Sequence, residues 1–378
     1  MLEVLIRVVE VLLIGLIGYN LLIALFGWRD PKTIPAGEKR HRLRVLIPAH
    51  DEGHVIGRLL GDLTDQDYPT ERYETWVLAD RCSDDTAEVA AGHGAKVAER
   101  VEGAGGKGPA LSWFLGRHPL EADEALVVLD ADNRVPADLL SRLDDHLGEG
   151  EQAIQVYLDV ANPDASAVAT ASALSYWASN RMVQLSRHNL GWPADLGGTG
   201  MCLTAGALKQ TGGFGETEAE DQDLGVRLFL SGMSPRWAHE VRVRDEKPTR
   251  SGVAIRQRAR WATGRRQTAR RHLGHLMTKP SLASWDLALR LVQPSRMGVA
   301  LASAVLAVAS WLGAPLLPWP VWVGLAGLQF LAPIPFLVRE RVPLRYLMRY
   351  PLLVILPLLK LPARLKRQRG WYHTPHEG

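Results

Sequence analysis

Apolar residues gather at the two ends of this chain, and between them polar and apolar positions alternate with the periods of strands and helices. Residues Val11–Trp28 carry no charge. About 20 such residues, at about 1.5 Å each, cross a hydrocarbon core of about 30 Å, so residues 1–28 are predicted to be a transmembrane anchor. Arg7 and Glu10, one turn apart at its start, are spaced to pair. Met297–Val338 contains no Asp, Glu, Lys or Arg. It is too long for one span and suits a hairpin of two, with Pro315, Pro318 and Pro320 at the turn. A third apolar run, Tyr350–Leu359, reaches about half a membrane and contains Pro351 and Pro357. Arg349 and Lys360 flank it, so residues 344–363 read as an interfacial or re-entrant helix. A third full span is the competing reading.

From Arg44 to about Asp245 the pattern changes to strand, helix, strand, helix. Arg44–Ile47, Glu74–Ala79 and Ala125–Leu129 are strand-like runs that end in Pro48, Asp80 and Asp130. Val55–Leu63, Asp84–Gly92 and Pro136–Leu147 have helical spacing between and after them. This alternation implies an α/β domain over 42–252, with parallel strands covered by helices. Ligands of such sheets bind at the carboxyl ends of the strands. Residues 253–296 read as amphipathic interface helices, 297–338 as the hairpin and 364–378 as a basic tail suited to anionic lipid.

Charge orients the chain. The net charge of +3 across 378 residues excludes a polyanion binder, so no nucleic-acid partner is expected. Arg29, Lys32, Lys39, Arg40, Arg42 and Arg44 follow the anchor, whereas only Arg7 precedes it. The positive-inside bias puts the N-terminus outside and the following domain and tail in the cytosol, as for an inner (plasma) membrane protein. No small-x-small cleavage site follows the segment, which argues against a signal peptide. Cys82 and Cys202 have neither zinc nor disulfide spacing and read as free thiols of a reducing compartment.

Several short motifs carry chemistry. Asp130-Ala-Asp132 closes an apolar strand, and in extended chain residues i and i+2 point the same way, so both carboxylates are expected to converge on a hard divalent cation. Asp80 ends another strand; Ser83 or Asp84 is expected to cap the next helix, which leaves Asp80 unexplained by capping. Gly103–Gly108 is not a Walker sequence, because Gly108 stands where Ser or Thr would hold magnesium. Its Lys107 reads either as part of a plain surface loop or as a point charge for a diphosphate. Glu220-Asp221 opens a helix running to Leu230, where acids ordinarily complement the dipole. Gln257, Arg260 and Trp261 share one face of a helix that has seven arginines between Arg256 and Arg271. An arginine beside an indole suits a diphosphate and a sugar ring, and the basic face suits anionic lipid.

In this order the motifs resemble the membrane-bound family 2 glycosyltransferases, a group that includes cellulose, hyaluronan and chitooligosaccharide synthases and ceramide glucosyltransferase. The resemblance rests on Pro48-Ala-His-Asp-Glu52, Asp80, Lys107-Gly108, Asp130-Ala-Asp132, Gly198-Thr-Gly200, Glu220-Asp221 and Gln257-Arg-Ala-Arg260-Trp261, over roughly 42–272. It implies a GT-A fold, a Rossmann-like mixed sheet, with transmembrane and interfacial helices. It also implies roles: Pro48, Ala49, His50, Glu52 and Asp80 for the uridine, Lys107 for the nucleotide phosphates, and Asp130 and Asp132 for Mg²⁺ or Mn²⁺. Asp221 would be the catalytic base, Arg260 would hold the leaving diphosphate, and Gly200, Glu220, Gln257 and Trp261 would face the acceptor. Trp371 and Thr374 resemble a gating segment, with His376 where Arg or Lys is expected. Ala219 replaces the Thr usual before Glu-Asp.

The expected reaction is a single inverting displacement from a UDP-sugar, with glucose or N-acetylglucosamine the leading donors, to a lipid or glycan acceptor, giving a β-linkage. A processive polysaccharide synthase and a non-catalytic membrane scaffold are the rivals. The acidic set argues against the scaffold; a small number of spans favours a lipid or short acceptor over a polymer channel, whereas the Gln257-x-x-Arg260-Trp261 motif favours elongation.

Overall fold

A computed structural model describes residues 2–351. In chain order the elements are α1 (Leu2–Leu25), β1 (Arg42–Ala49), α2 (Gly53–Thr64), β2 (Tyr73–Asp80), α3 (Thr86–Gly92), β3 (Lys96–Arg100), α4 (Lys107–Arg117), β4 (Glu124–Val128) and α5 (Leu139–Gly148). Then follow β5 (Ala153–Val160), α6 (Ala167–Ser179), a π-helical turn (Asn180–Leu185), α7 (Ser186–Asn189), β6 (Met201–Thr204), α8 (Ala205–Thr211), α9 (Glu220–Leu230) and β7 (Arg236–Asp245). The C-terminal elements are α10 (Ser251–Thr278), α11 (Leu282–Val292), α12 (Arg296–Trp311), α13 (Trp319–Leu331), α14 (Pro333–Arg339) and α15 (Leu344–Leu347).

The seven strands form one sheet in the order β3-β2-β1-β4-β6-β5-β7. β1 pairs in parallel with β2 and β4, whereas β6 runs antiparallel between β4 and β5. The sheet is therefore mixed, and its parallel half is buried on both faces. Val45, Ile47 and Val127 point toward α2 and α5, and Leu46, Leu126 and Val128 toward α4 and α9, as the period of two requires. Chain order reverses on either side of β1, and such a switch point opens a crevice at the carboxyl ends of the strands.

A third core joins the sheet to the apolar helices. Ala24 of α1 packs with Trp177, Met182, Trp237, Phe336 and Leu337. Two stretches, Ile6–Trp28 and Trp319–Arg339, are long and apolar enough to cross a membrane. The hairpin expected over Met297–Val338 forms with its turn at residues 312–318, but its first limb, α12, is shorter than a span. Pro294 holds the preceding residue extended, Ser295 caps α12, and α11 meets α12 at a 70° bend. Arg7 pairs with Glu10 as the spacing predicts, and Glu10 also accepts a hydrogen bond from Leu317 N at 2.6 Å, tying α1 to the hairpin turn. At the other end of α1, buried Arg181 binds Asp30, Glu340 and the Gly27 carbonyl. Of the segment at 344–363 only the start is described, as α15; the rest of it, the tail, Trp371, Thr374 and His376 lie outside the described residues.

Candidate active site

The crevice is a cavity of about 570 Å³. Pro48, Ala49, His50, Glu52, Asp80, Lys107, Asp130, Asp132, Glu220, Asp221, Gln257, Arg260 and Trp261 all line it. Of the expected residues within 2–351, Gly200 alone is absent from the lining. It is buried in the sheet, its N–H donating to the Val128 carbonyl at 2.8 Å and its carbonyl accepting from Val156 N at 2.9 Å. Gly198 and Thr199 form the wall instead.

β1 and β2 deliver one end of the cavity. Both strands finish in tight loops whose first free residues, Asp51 and Arg81, have φ of 57° and 55°, conformations that persist only where surrounding contacts enforce them. The His50 ring lies 2.6 Å from the Asp80 carbonyl through Nδ1, which therefore carries the proton. Asp80 is buried with Arg100 at 2.6 Å and Arg81 at 3.2 Å. Of the two expected caps, Asp84 serves: it accepts from Thr86 N, the first residue of α3, at 3.1 Å, and also from Gly53 N, because the loop after β1 lies within hydrogen-bonding reach. Ser83 instead donates to Asp51.

β4 stops at Val128, so Asp130 and Asp132 sit in a turn closed by Asn133 N to the Asp130 carbonyl at 3.0 Å. The extended-strand argument therefore does not apply; a turn held by Asn133 presents both residues to the cavity. The buried Asn133 carbonyl accepts from Asp130 N and the Thr199 hydroxyl, and its amide donates to Asp132 at 3.2 Å and Asp245 at 3.4 Å. Lys107 is not on a surface loop. It is the first residue of α4, contacts Asp130 and donates to the Gly198 carbonyl at 2.8 Å. Burial pulls its pKa down, but Asp130, Glu220 and Asp221 outweigh this and hold it above the ordinary lysine range.

Glu220 and Asp221 open α9 as expected, although Ala219 offers no side-chain cap. The helix start favours an ionised Asp221, but burial raises its pKa to about 6, against Gln222 N, Lys107 and Arg260, and burial together with Asp221 raises Glu220. Desolvation of two adjacent acids outweighs the helix dipole here. α10 begins at Ser251, just ahead of the expected boundary, and carries Gln257, Arg260 and a 39%-exposed Trp261 along the opposite wall.

Asn133, Thr199, Arg100, Asp245 and Lys247 were not legible as site residues. Asp245 lines the cavity, pairs with Lys247 and has a pKa raised by burial. Only the return of β7 beside β5 brings it near β4, and no local signal marks it.

The residues fit a hard divalent cation shared with a diphosphate. Asp130 and Asp132 offer carboxylate oxygens beside Lys107, and Asp245 adds negative charge behind them. Among the described residues one three-ligand cluster has its donor atoms mutually within 4.8 Å, Asp51, Cys82 and Asp84, but loop hydrogen bonds already engage these carboxylates.

Residues 41–264 match the family described as "Glycosyltransferase like family 2", and the chain belongs to it. It is similar to the beta-monoglucosyldiacylglycerol synthase of Trichormus variabilis, 31% identical over 271 residues, which is 67% of this chain and 52% of the relative. The probable glycosyltransferase YdaM of Bacillus subtilis is 27% identical over 248 residues, 63% of this chain and 57% of that one. The chain thus spans about half the length of the curated relatives it matches. Among solved structures, the mannosyltransferase PcManGT of Pyrobaculum calidifontis, in complex with GDP-Man and Mn²⁺, superposes with a TM-score of 0.64 at 18% identity, covering 97% of this chain and 100% of that one. That likeness is one of fold: the sheet domain has the GT-A fold of a family 2 glycosyltransferase, and two described stretches beside it are long and apolar enough to cross a membrane.

Proposed function

We propose that the protein transfers one sugar, glucose or N-acetylglucosamine, from a UDP-sugar to a lipid hydroxyl with inversion, forming a β-linkage. The observation that carries this reading is the seating of Asp221 between Lys107 and Arg260, in a cavity that ends at His50 and Asp80 on one side and Trp261 on the other. In this arrangement the nucleotide lies over the ends of β1 and β2, and the acceptor hydroxyl meets Asp221 from the α10 side. Asp221 accepts the hydroxyl proton; its raised pKa suits a base working near neutral pH. Lys107 and Arg260 hold the departing diphosphate. Mg²⁺ or Mn²⁺, held by Asp130 and Asp132, would supply further stabilisation of charge on that leaving group.

A lipid acceptor is supported by the placing of α6. This helix carries Tyr176 into the cavity wall and packs through the neighbouring Trp177 onto the core shared with α1 and α14. The relatives named as glucosyldiacylglycerol synthases point the same way. For the membrane itself, α1 from Glu10 to Leu25 and the short turn Phe26–Trp28 after it together come close to a hydrocarbon thickness of about 30 Å. Exposed Trp311 and Trp319 lie near the Glu10 end, and Trp28 at the end that joins the catalytic domain. Together with the basic flank after the anchor, this favours an outside N-terminus, a cytosolic catalytic domain and α10–α11 at the lipid surface.

The test uses the full chain in lipid nanodiscs containing diacylglycerol, offered UDP-glucose, UDP-N-acetylglucosamine and GDP-mannose in turn. Nucleotide release is measured with the anomeric configuration of the product. Expected is UDP release with a β-linked monoglycosyl lipid. Turnover of GDP-mannose alone, or an α-linked product, would overturn the reading; a ladder of longer products would favour the processive rival.

A further inference from the structure

Three glycines surround the start of α9. A Cβ built on Gly264 would stand 2.5 Å from both the Cβ and the N of Ala219, and 2.9 Å from the Glu218 carbonyl carbon. One on Gly108 would stand 2.0 Å from the Gly215 carbonyl oxygen and 3.0 Å from Glu220 Cβ. One on Gly198 would lie 3.2 Å from Asp221 Oδ2. Contacts well under 3 Å force backbones apart, so the chain needs hydrogen at Gly264 and Gly108.

Gly264 is the most telling of the three. It sits inside α10, where glycine is less favourable than alanine. Gly274, on the same helix, has nothing within 4 Å of its added Cβ. Gly264 follows Arg260 by four residues and Trp261 by three, so all three share one face. Where that face touches Ala219 decides how far Arg260 and Trp261 stand from Asp221, two residues on. We propose that Gly264 is a positioning residue for the transfer, setting the spacing between the base and the α10 wall that holds diphosphate and acceptor. This rests on the reading of Asp221 as the base.

The test is Gly264→Ala in the full chain, with Gly274→Ala as control. Misplacement by about 1 Å can cost on the order of 100-fold in rate, so kcat should fall at least about tenfold and acceptor KM should rise. UDP-sugar affinity, set by the β1 and β2 loops, should stay within about twofold, and Gly274→Ala should keep wild-type turnover. Adding Ala219→Gly removes one of the two closest contacts and should restore part of kcat. Turnover of Gly264→Ala within about twofold of wild type, with Asp221→Asn inactive, would overturn the proposal. An active Asp221→Asn would instead remove the base assignment beneath it. If Gly264→Ala alone does not fold, the double variant decides: transfer at the full wild-type rate overturns the proposal, because the contact with Ala219 N remains; a reduced rate with donor affinity intact supports it.

Discussion

On the proposed reading of Asp221 as the base, its reactivity and its cost in stability have one cause. Burial raises its pKa, as it does that of Glu220. Between the unfolded carboxylate pKa of about 4 and the raised folded values, the native state binds more protons than the unfolded chain. Stability therefore falls as pH rises through that window, and the ionised pair is destabilising at neutral pH. Asp221→Asn should thus lower kcat by about 10²–10⁴ while raising the melting temperature at neutral pH, and the gain in melting temperature should shrink as the pH approaches 4. The rate–pH profile of the wild type should carry an acid limb above the ordinary aspartate range. A wild-type melting temperature matched by the variant at every pH would contradict this. The Asp130 and Asp132 pair is tested separately: chelation with EDTA should abolish transfer and Mn²⁺ or Mg²⁺ should restore it, whereas full turnover in EDTA would exclude the pair as metal ligands.

At the scale of elements, the joints between helices and sheet matter more than the elements. Arg181, in the π-helical turn, binds the end of α1 and the end of α14 while touching His239 of β7. Its partner Glu340 is equally buried, so Arg181→Met leaves a carboxylate without its closest cation. The expected cost is about 3 kcal/mol or more, seen as a lower melting temperature in detergent. Arg339 pairs with Asp30 at 2.6 Å, but both are exposed, and Arg339→Met should cost under about 1 kcal/mol. Equal losses from the two changes would show that the buried joint has no special weight.

For the whole molecule, the outcome to check is which side of the membrane each end of α1 faces. In a background with Cys82 replaced by serine, a cysteine at Leu312, in the exposed hairpin turn, should react with an impermeant maleimide added outside cells. One at Lys279, beyond α10, should react only after the cells are opened. The reverse pattern would invert the topology read from the basic flank.

Much of this was legible in the chain. The uncharged run at 11–28, the apolar strands ending in Asp80 and Asp130, and the acids opening α9 each declare themselves through local periodicity and composition, which depend on neighbours a few residues away. The ordered motifs identified the family, and nearly all of the expected residues do line one cavity. What local pattern could not decide is anything that needs two distant segments at once. Gly198-Thr-Gly200 reads as a unit, yet the antiparallel insertion of β6 turns Gly200 into the sheet and Gly198 toward Asp221. Asp130 and Asp132 reach the same cavity from a turn held by Asn133, not from the end of a strand. Asp245 joins them because β7 lies parallel to β5. The pKa of Asp221 departs from what a helix start predicts because desolvation is a property of the closed cavity. Sequence determined which groups are present and which elements carry them; packing across the sheet decided how far apart they stand and what charge they bear.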